Sequence, residues 1–206
     1  MAVKVLVFAG SARKGSFNRK LARVAAEAAR KAGGDVTHLE LGDFPMPLYH
    51  GDLEAEQGMP EKARDLRQLF LAHDALLIAT PEYNQSIPPL LKNTLDWLSR
   101  SLGDGKGINS GLAPYKGKLA GLLAASPGPF GGVRVMPDLR KVLSSLGVTV
   151  LGAQVAIPHA DGAFDEAGNL KDAHHQKIVE MLATGVVETA RKLKEAPDPP
   201  RIGQDH

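Results

Sequence analysis

Between residues 10 and 18 the chain reads Gly10-Ser11-Ala12-Arg13-Lys14-Gly15-Ser16-Phe17-Asn18. An apolar run, Val3-Lys4-Val5-Leu6-Val7-Phe8, precedes this stretch, and a helical pattern follows from about Asn18. A strand, a short polar loop and a helix start make an anion site. The first helical N–H groups lack intrahelical partners, and the helix dipole adds partial positive charge there. Arg13 contributes a planar fork of donors, and Ser11, Ser16 and Asn18 contribute neutral ones. This donor set suits a terminal phosphate monoester. Ser and Asn are also common helix caps, so the loop by itself leaves capping open.

A second polar stretch, Thr80-Pro81-Glu82-Tyr83-Asn84-Gln85-Ser86-Ile87-Pro88, follows an apolar segment. Pro81 fixes its own φ and biases Thr80 toward extended backbone. Tyr83 offers a flat surface, and Asn84 offers donors and an acceptor. A planar heteroaromatic ring with hydrogen-bonding edges matches that set, although Tyr83 taken singly reads as an ordinary half-buried aromatic. A third stretch is Ser126-Pro127-Gly128-Pro129-Phe130-Gly131-Gly132. Its glycines permit close backbone approach to a ligand, and the following helix is expected to direct its positive end the same way. A phosphate pocket plus a ring clamp predicts a mononucleotide, and FMN fits better than a dinucleotide. The first loop lacks G-x-G-x-x-G and G-x-x-x-x-G-K-[ST]. Backbone N–H groups of Gly128–Gly132 are expected to face the ring edge where reduction places negative charge.

The elements that must position these loops alternate between strand and helix. Val3–Phe8, Val36–Leu41, Ala75–Thr80, Leu119–Ala125 and Val148–Ile157 read as strands, the second shorter, more polar and nearer an edge. Stripes at helical spacing comprise Phe17, Leu21, Val24 and Ala28; Leu66, Leu69 and Phe70; Leu91, Leu95, Leu98 and Leu102; Val135, Leu139, Val142 and Leu146; and Ile178, Leu182, Val186 and Leu193. Residues 42–58 and 103–114 read as loops. Five strands alternating with helices predict a flavodoxin-like α/β sandwich of three layers, a parallel sheet of order 2-1-3-4-5 covered on both faces. In that order a crevice opens at the carboxyl ends of strands one and three. Residues 1–196 read as one domain and 197–206 as a Pro-rich tail.

Composition narrows the function. The chain has 206 residues, 43% hydrophobic and 23% charged, with a formal net charge of +2. No block of Lys or Arg suggests a nucleic-acid partner, and no apolar run suits a membrane span. The absence of cysteine excludes thiol catalysis, disulfides and cysteine metal sites. The chain enters its first strand without a charged leader, so cytoplasm is the expected compartment. His174 and His175 are adjacent on a helix and point apart, so no metal site is expected. Asp96 and Trp97 read as packing residues.

Gly10–Ala22, the Pro81–Pro88 stretch continuing through Leu91-Lys92-Asn93-Thr94-Leu95-Asp96-Trp97, and the Ser126–Gly132 loop together resemble the NADPH-dependent FMN reductase family. That family includes chromate and quinone reductases and some azoreductases. The resemblance implies FMN held by Ser11, Arg13, Ser16, Phe17, Asn18, Pro81, Glu82, Tyr83, Asn84, Ser126, Gly128, Gly131 and Gly132. No side chain is catalytic, because the cofactor carries the chemistry. It implies two-electron ping-pong transfer from NADPH or NADH, by way of FMN, to a small-molecule acceptor: a quinone, an azo compound, a chromate-like metal ion or free flavin. Glu82 is expected to approach the flavin through its backbone, with its side chain toward a partner subunit. A homodimer or homotetramer is implied, with the helix Leu90–Leu102 as its adhesive face; the alternative is that this stripe packs on its own sheet. The rival functions are a flavodoxin-type electron carrier without turnover, which lacks its expected acidic surface here; a response regulator, which lacks an acidic phosphoacceptor at Ala9-Gly10; and a flavin-storage protein.

Overall fold

The computed structural model describes residues 2–195; the expected tail, 197–206, lies outside the described residues. Five parallel strands form one sheet: β1 (Val3–Ala9), β2 (Gly34–Glu40), β3 (Ala75–Ala79), β4 (Leu119–Ala125) and β5 (Thr149–Ile157). Their order is β2-β1-β3-β4-β5, as the alternating pattern predicts. β1, β3 and β4 are buried on both faces except at Lys4, which explains their near-continuous apolar sequences. β2 lies at an edge as expected, but it is as long as β1, with seven residues each. The exposed β5 forms the other edge.

Strand alternation divides the core in two. Val3, Val5 and Val7 face α1 (Phe17–Lys31) and the long C-terminal helix α7 (Ala173–Glu195). Leu6 and Phe8 face α3 (Glu61–Ala72), α4 (Pro89–Leu98) and α5 (Val135–Ser145). Gly121 in β4 has a packing reason: a β-carbon there would lie 2.7 Å from Val186 of α7.

Several expectations change. Residues 42–58 hold a short helix, α2 (Gly51–Gln57), which buries no residue and therefore carries no apolar stripe. A further turn, α6 (Ala160–Ala163), follows β5. α4 ends at Leu98 rather than Leu102, and Leu91, Leu95 and Leu98 are fully buried in their own core. The stripe proposed as an adhesive face is thus covered by its own sheet. Leu193 on α7 is half exposed instead of inward-facing. The loop after α4 is anchored by the buried Arg67, whose guanidinium donates to the carbonyls of Leu98 (2.7 Å), Ile108 (2.9 Å) and Ser110 (2.6 Å).

Candidate functional site

The loops after β1, β3 and β4 converge at the carboxyl end of the sheet. Ser11, Arg13, Ser16, Phe17, Asn18, Pro81, Glu82, Tyr83 and Ser126 line one cavity of about 160 Å³, with Ala125 and Pro127 completing it. Nine of the thirteen expected site residues therefore meet. Asn84, Gly128, Gly131 and Gly132 do not line the cavity.

The first loop folds back on itself. Ser16 N–H donates to the Arg13 carbonyl at 3.0 Å, and the Ser16 hydroxyl accepts from Arg19 N–H at 3.4 Å as the N-cap of α1. Capping and anion binding do not compete here, since a capping hydroxyl keeps its own hydrogen to donate. Arg13 is exposed, lies over Phe17 at 5.6 Å, and pairs with no carboxylate among the described residues. Asn18 departs from expectation. Its Nδ2 donates to the Ala125 carbonyl and its Oδ1 accepts from Ala125 N–H, both at 2.9 Å. This buried amide mimics one rung of a sheet and ties the start of α1 to the end of β4. A single N–H remains for a ligand.

The second loop is a tight hairpin. Tyr83 and Ser86 exchange N–H to carbonyl bonds at 3.0 Å. Asn84 (φ 50°) and Gln85 (φ 67°) both occupy the left-handed region, the signature of a type I′ turn. Asn84 thus serves the turn and points to solvent, which is why it misses the cavity. Tyr83 is 51% exposed at the mouth.

Glu82 also departs from expectation. Its carboxylate accepts from the backbone N–H of Arg134 at 2.9 Å and pairs with Arg134 Nε at 3.1 Å, within the same chain. It therefore sits at the start of α5 instead of facing a partner, and α5 presents its positive end to Glu82. Ser86 donates to Asp138 in the first turn of α5 at 2.6 Å. That bond, with Lys141 nearby, holds the Asp138 carboxyl below its ordinary range. Two polar ties therefore join the second loop to the helix after the third. Arg134, Asp138 and Ala125 carry no signal of this in sequence.

The glycines of the third loop answer to the protein. Gly131 has φ +61°, and a β-carbon there would lie 2.8 Å from the backbone at Ile157 and Pro158. Its N–H donates to the Gly128 carbonyl at 3.2 Å, and Gly128 N–H donates to the Ser126 hydroxyl at 3.3 Å. Those two N–H groups are therefore committed internally, contrary to their expected role facing the ring. Gly132 sits beside Glu82, its hypothetical β-carbon 3.7 Å away, and its N–H has no partner among the described residues. Ser126 itself is braced from β5 and α6: its N–H donates to the Ile157 carbonyl, and its own carbonyl accepts from Ala160 N–H, both at 3.1 Å.

A profile of the NADPH-dependent FMN reductase family matches residues 3–162, which include all three loops. The chain belongs to that family. Membership makes it an FMN-dependent oxidoreductase that draws on NAD(P)H. It is 36% identical over 197 residues to an NAD(P)H-dependent FMN reductase of Pseudomonas aeruginosa, covering 93% of this chain and 97% of the relative. It is 33% identical to a 2-hydroxy-1,4-benzoquinone reductase of a Burkholderia species, covering 88% and 93%. Among solved structures, the flavoenzyme NAD(P)H:(acceptor) oxidoreductase FerB of Paracoccus denitrificans superposes with a TM-score of 0.76 at 30% identity, over 93% of this chain and 98% of that one. The family's cofactor fits the cavity's donor set: two hydroxyls with hydrogens to donate, one amide N–H and an unpaired guanidinium surround a space suited to a phosphate. No group of His, Asp or Glu among the described residues could hold a metal ion, and no described helix is long and apolar enough to cross a membrane.

Proposed function

We propose that this protein reduces quinones with NAD(P)H, holding FMN by its phosphate at Ser11, Arg13, Ser16 and the remaining N–H of Asn18. The observation that carries the reading is the convergence of the three loops on one cavity whose donors have no acid partner. At about 160 Å³ the cavity is smaller than pockets enclosing a whole ligand, roughly 300–1,000 Å³. It suits the phosphate and its chain, with the ring at the rim near Tyr83, Pro81 and Ser126. When bound, FMN supplies two-electron transfer between nicotinamide and acceptor. The chain's own part is placement. The hairpin at Asn84-Gln85 presents Tyr83, and the N–H groups of Phe130 and Gly132, which have no partner among the described residues, are third-loop donors left to meet charge at the ring edge. The Glu82–Arg134 pair fixes the distance between the two loops.

The benzoquinone reductase relative supports a quinone acceptor; azo compounds, chromate-like ions and free flavin are further acceptors that an open ring face accommodates. The exposed aromatics Tyr83 and Phe130 support a homodimer or homotetramer covering the mouth, testable by light scattering at varied concentration. A cytoplasmic site of action completes the reading. The deciding experiment is to purify the protein, identify bound flavin by absorbance and mass, and follow anaerobic bleaching by NADH and NADPH before adding benzoquinone. A yellow protein that bleaches and recovers its colour with quinone is the expected result. Colourless protein without affinity for FMN defeats the reading, and FMN-loaded protein that neither NADH nor NADPH bleaches favours the electron-carrier alternative.

A further inference from the structure

The Gly10–Asn18 loop is anchored at both ends. Gly10 N–H donates to the Ala79 carbonyl at 2.9 Å, and the Asn18 amide is bonded to Ala125. The loop's middle, residues 11–15, has one hydrogen bond from beyond Ser16 among the described residues: Arg19 Nη1 donates to the Arg13 carbonyl at 3.5 Å. Ser16 N–H donates to that same carbonyl, and Arg19 N–H donates to the Ser16 hydroxyl. Arg19 therefore grips both sides of the turn that carries the phosphate donors. Its own anchor is Glu40, whose carboxylate lies 2.7 Å from Arg19 Nε. The contact is one of charge, since the buried Nε has no aligned hydrogen bond. Glu40 ends β2 and stands opposite Ala9, the residue directly before the loop. The chain leaving β2 also touches the loop: a β-carbon on Gly42 would lie 3.2 Å from that of Ala12. The side chains of Arg19 and Glu40 are 29% and 28% exposed, so solvent screens them less than a surface pair.

We infer that Glu40 is a positioning residue for the flavin phosphate: through Arg19 it holds the Arg13–Ser16 turn in the shape that makes its donors converge. The inference rests on the reading that the Ser11–Asn18 loop holds the FMN phosphate. Neither Glu40 nor Arg19 lines the crevice cavity, so the pair acts on the loop's backbone and not by contact with the ligand. Pairing with Glu40 keeps the Arg19 guanidinium on the Arg13 carbonyl. The benefit is preorganisation. A turn fixed before the ligand arrives loses less of the binding free energy to ordering. The edge strand β2, which supplies no residue to the cavity, thereby takes part in the site.

FMN and riboflavin differ by the phosphate alone, so the ratio of their affinities isolates the loop. Fluorescence titration of the full chain, freed of bound flavin, measures both. Glu40→Gln keeps the side chain's size and removes its charge. It should lower the preference for FMN over riboflavin about fivefold, the scale of a partly shielded ion pair. Riboflavin affinity should stay within about twofold of wild type. Glu40→Asp, which keeps the charge, should recover part of the preference. In an Arg19→Ala background, Glu40→Gln should cause no further fall, because its effect runs through Arg19. Charge removal acting directly on the phosphate has the opposite sign, since a nearby carboxylate repels an anion. A preference unchanged or raised in Glu40→Gln therefore overturns the inference. So does an equal fall for both flavins, which marks a general loosening of the fold, or a further fall of the same size in the Arg19→Ala background. Wild-type protein that binds riboflavin as tightly as FMN overturns the crevice reading and the inference with it.

Discussion

At the carboxyl ends of β1, β3 and β4, Arg13 and the hydroxyls of Ser11 and Ser16 keep donors that no carboxylate claims. At the amino ends of the same sheet, polar groups satisfy one another. Asp74 accepts from Lys4 N–H and from the Lys194 ammonium, both at 2.8 Å. Both ring nitrogens of His73 are bonded, to Leu69 and Thr37, and the Lys118 ammonium donates to the His73 carbonyl. Desolvation pushes the Asp74 carboxyl up, but the Lys194 and Lys4 bonds outweigh it and hold its pKa below the usual value. The amino-end cavity is the larger, about 250 Å³ against about 160 Å³. Volume therefore does not mark the proposed binding site. Uncommitted donors converging on one point do, because only they gain new hydrogen bonds from a ligand.

The largest effect is expected where the two behaviours meet. Asn18→Ala leaves the N–H and carbonyl of Ala125 buried without partners, which costs about 3 kcal/mol. Urea unfolding should show that loss, and FMN affinity should fall with it. A variant of normal stability would reduce Asn18 to an ordinary ligand donor.

Second comes the closed end alone. Burial lowers the Lys118 pKa to about 8, so the folded chain releases this proton more readily than the unfolded chain. Raising the pH from 8 toward 10 should therefore stabilise wild-type protein relative to Lys118→Met, by about 2 kcal/mol. Denaturant midpoints across that range measure it, and flavin affinity should not follow. Tyr115, whose pKa burial raises well above 10, is common to both proteins and cancels in the comparison.

Third, Arg13→Ala tests the open end. FMN affinity should weaken about tenfold, near 1.4 kcal/mol, with stability unchanged within about 0.5 kcal/mol. The smallest effect belongs to Ser16→Ala, which loses a cap worth about 1 kcal/mol together with a phosphate donor. Stability and FMN affinity should both decline; a change in stability alone would make Ser16 a cap and nothing more.

Much of the fold was legible because periodicity is local. β4 begins and ends where its apolar run does, and the parallel sheet follows from regular alternation with helices. α2 was not legible, because a seven-residue helix with no fully buried residue, packing only Leu53 partly against the core, leaves no stripe. Ser11, Arg13 and Ser16 were legible as donors through their place between a strand and a helix. The place of Asn84 off the cavity was not legible, because the left-handed turn that claims it is also a common fate of Asn. Nor was that of Gly131, because a glycine that admits a ligand and one that admits the chain's own β5 look the same in sequence.

The amino-acid sequence by itself determined that three polar loops would follow three buried strands, since residue type and spacing fix which segments are strand, helix and turn. Only the tertiary structure decided which donors those loops keep. Asn18 meets Ala125 across 107 residues and Glu82 meets Arg134 across 52. Such pairings depend on strand register and helix packing, which bring distant atoms within 3 Å without leaving any periodic trace along the chain.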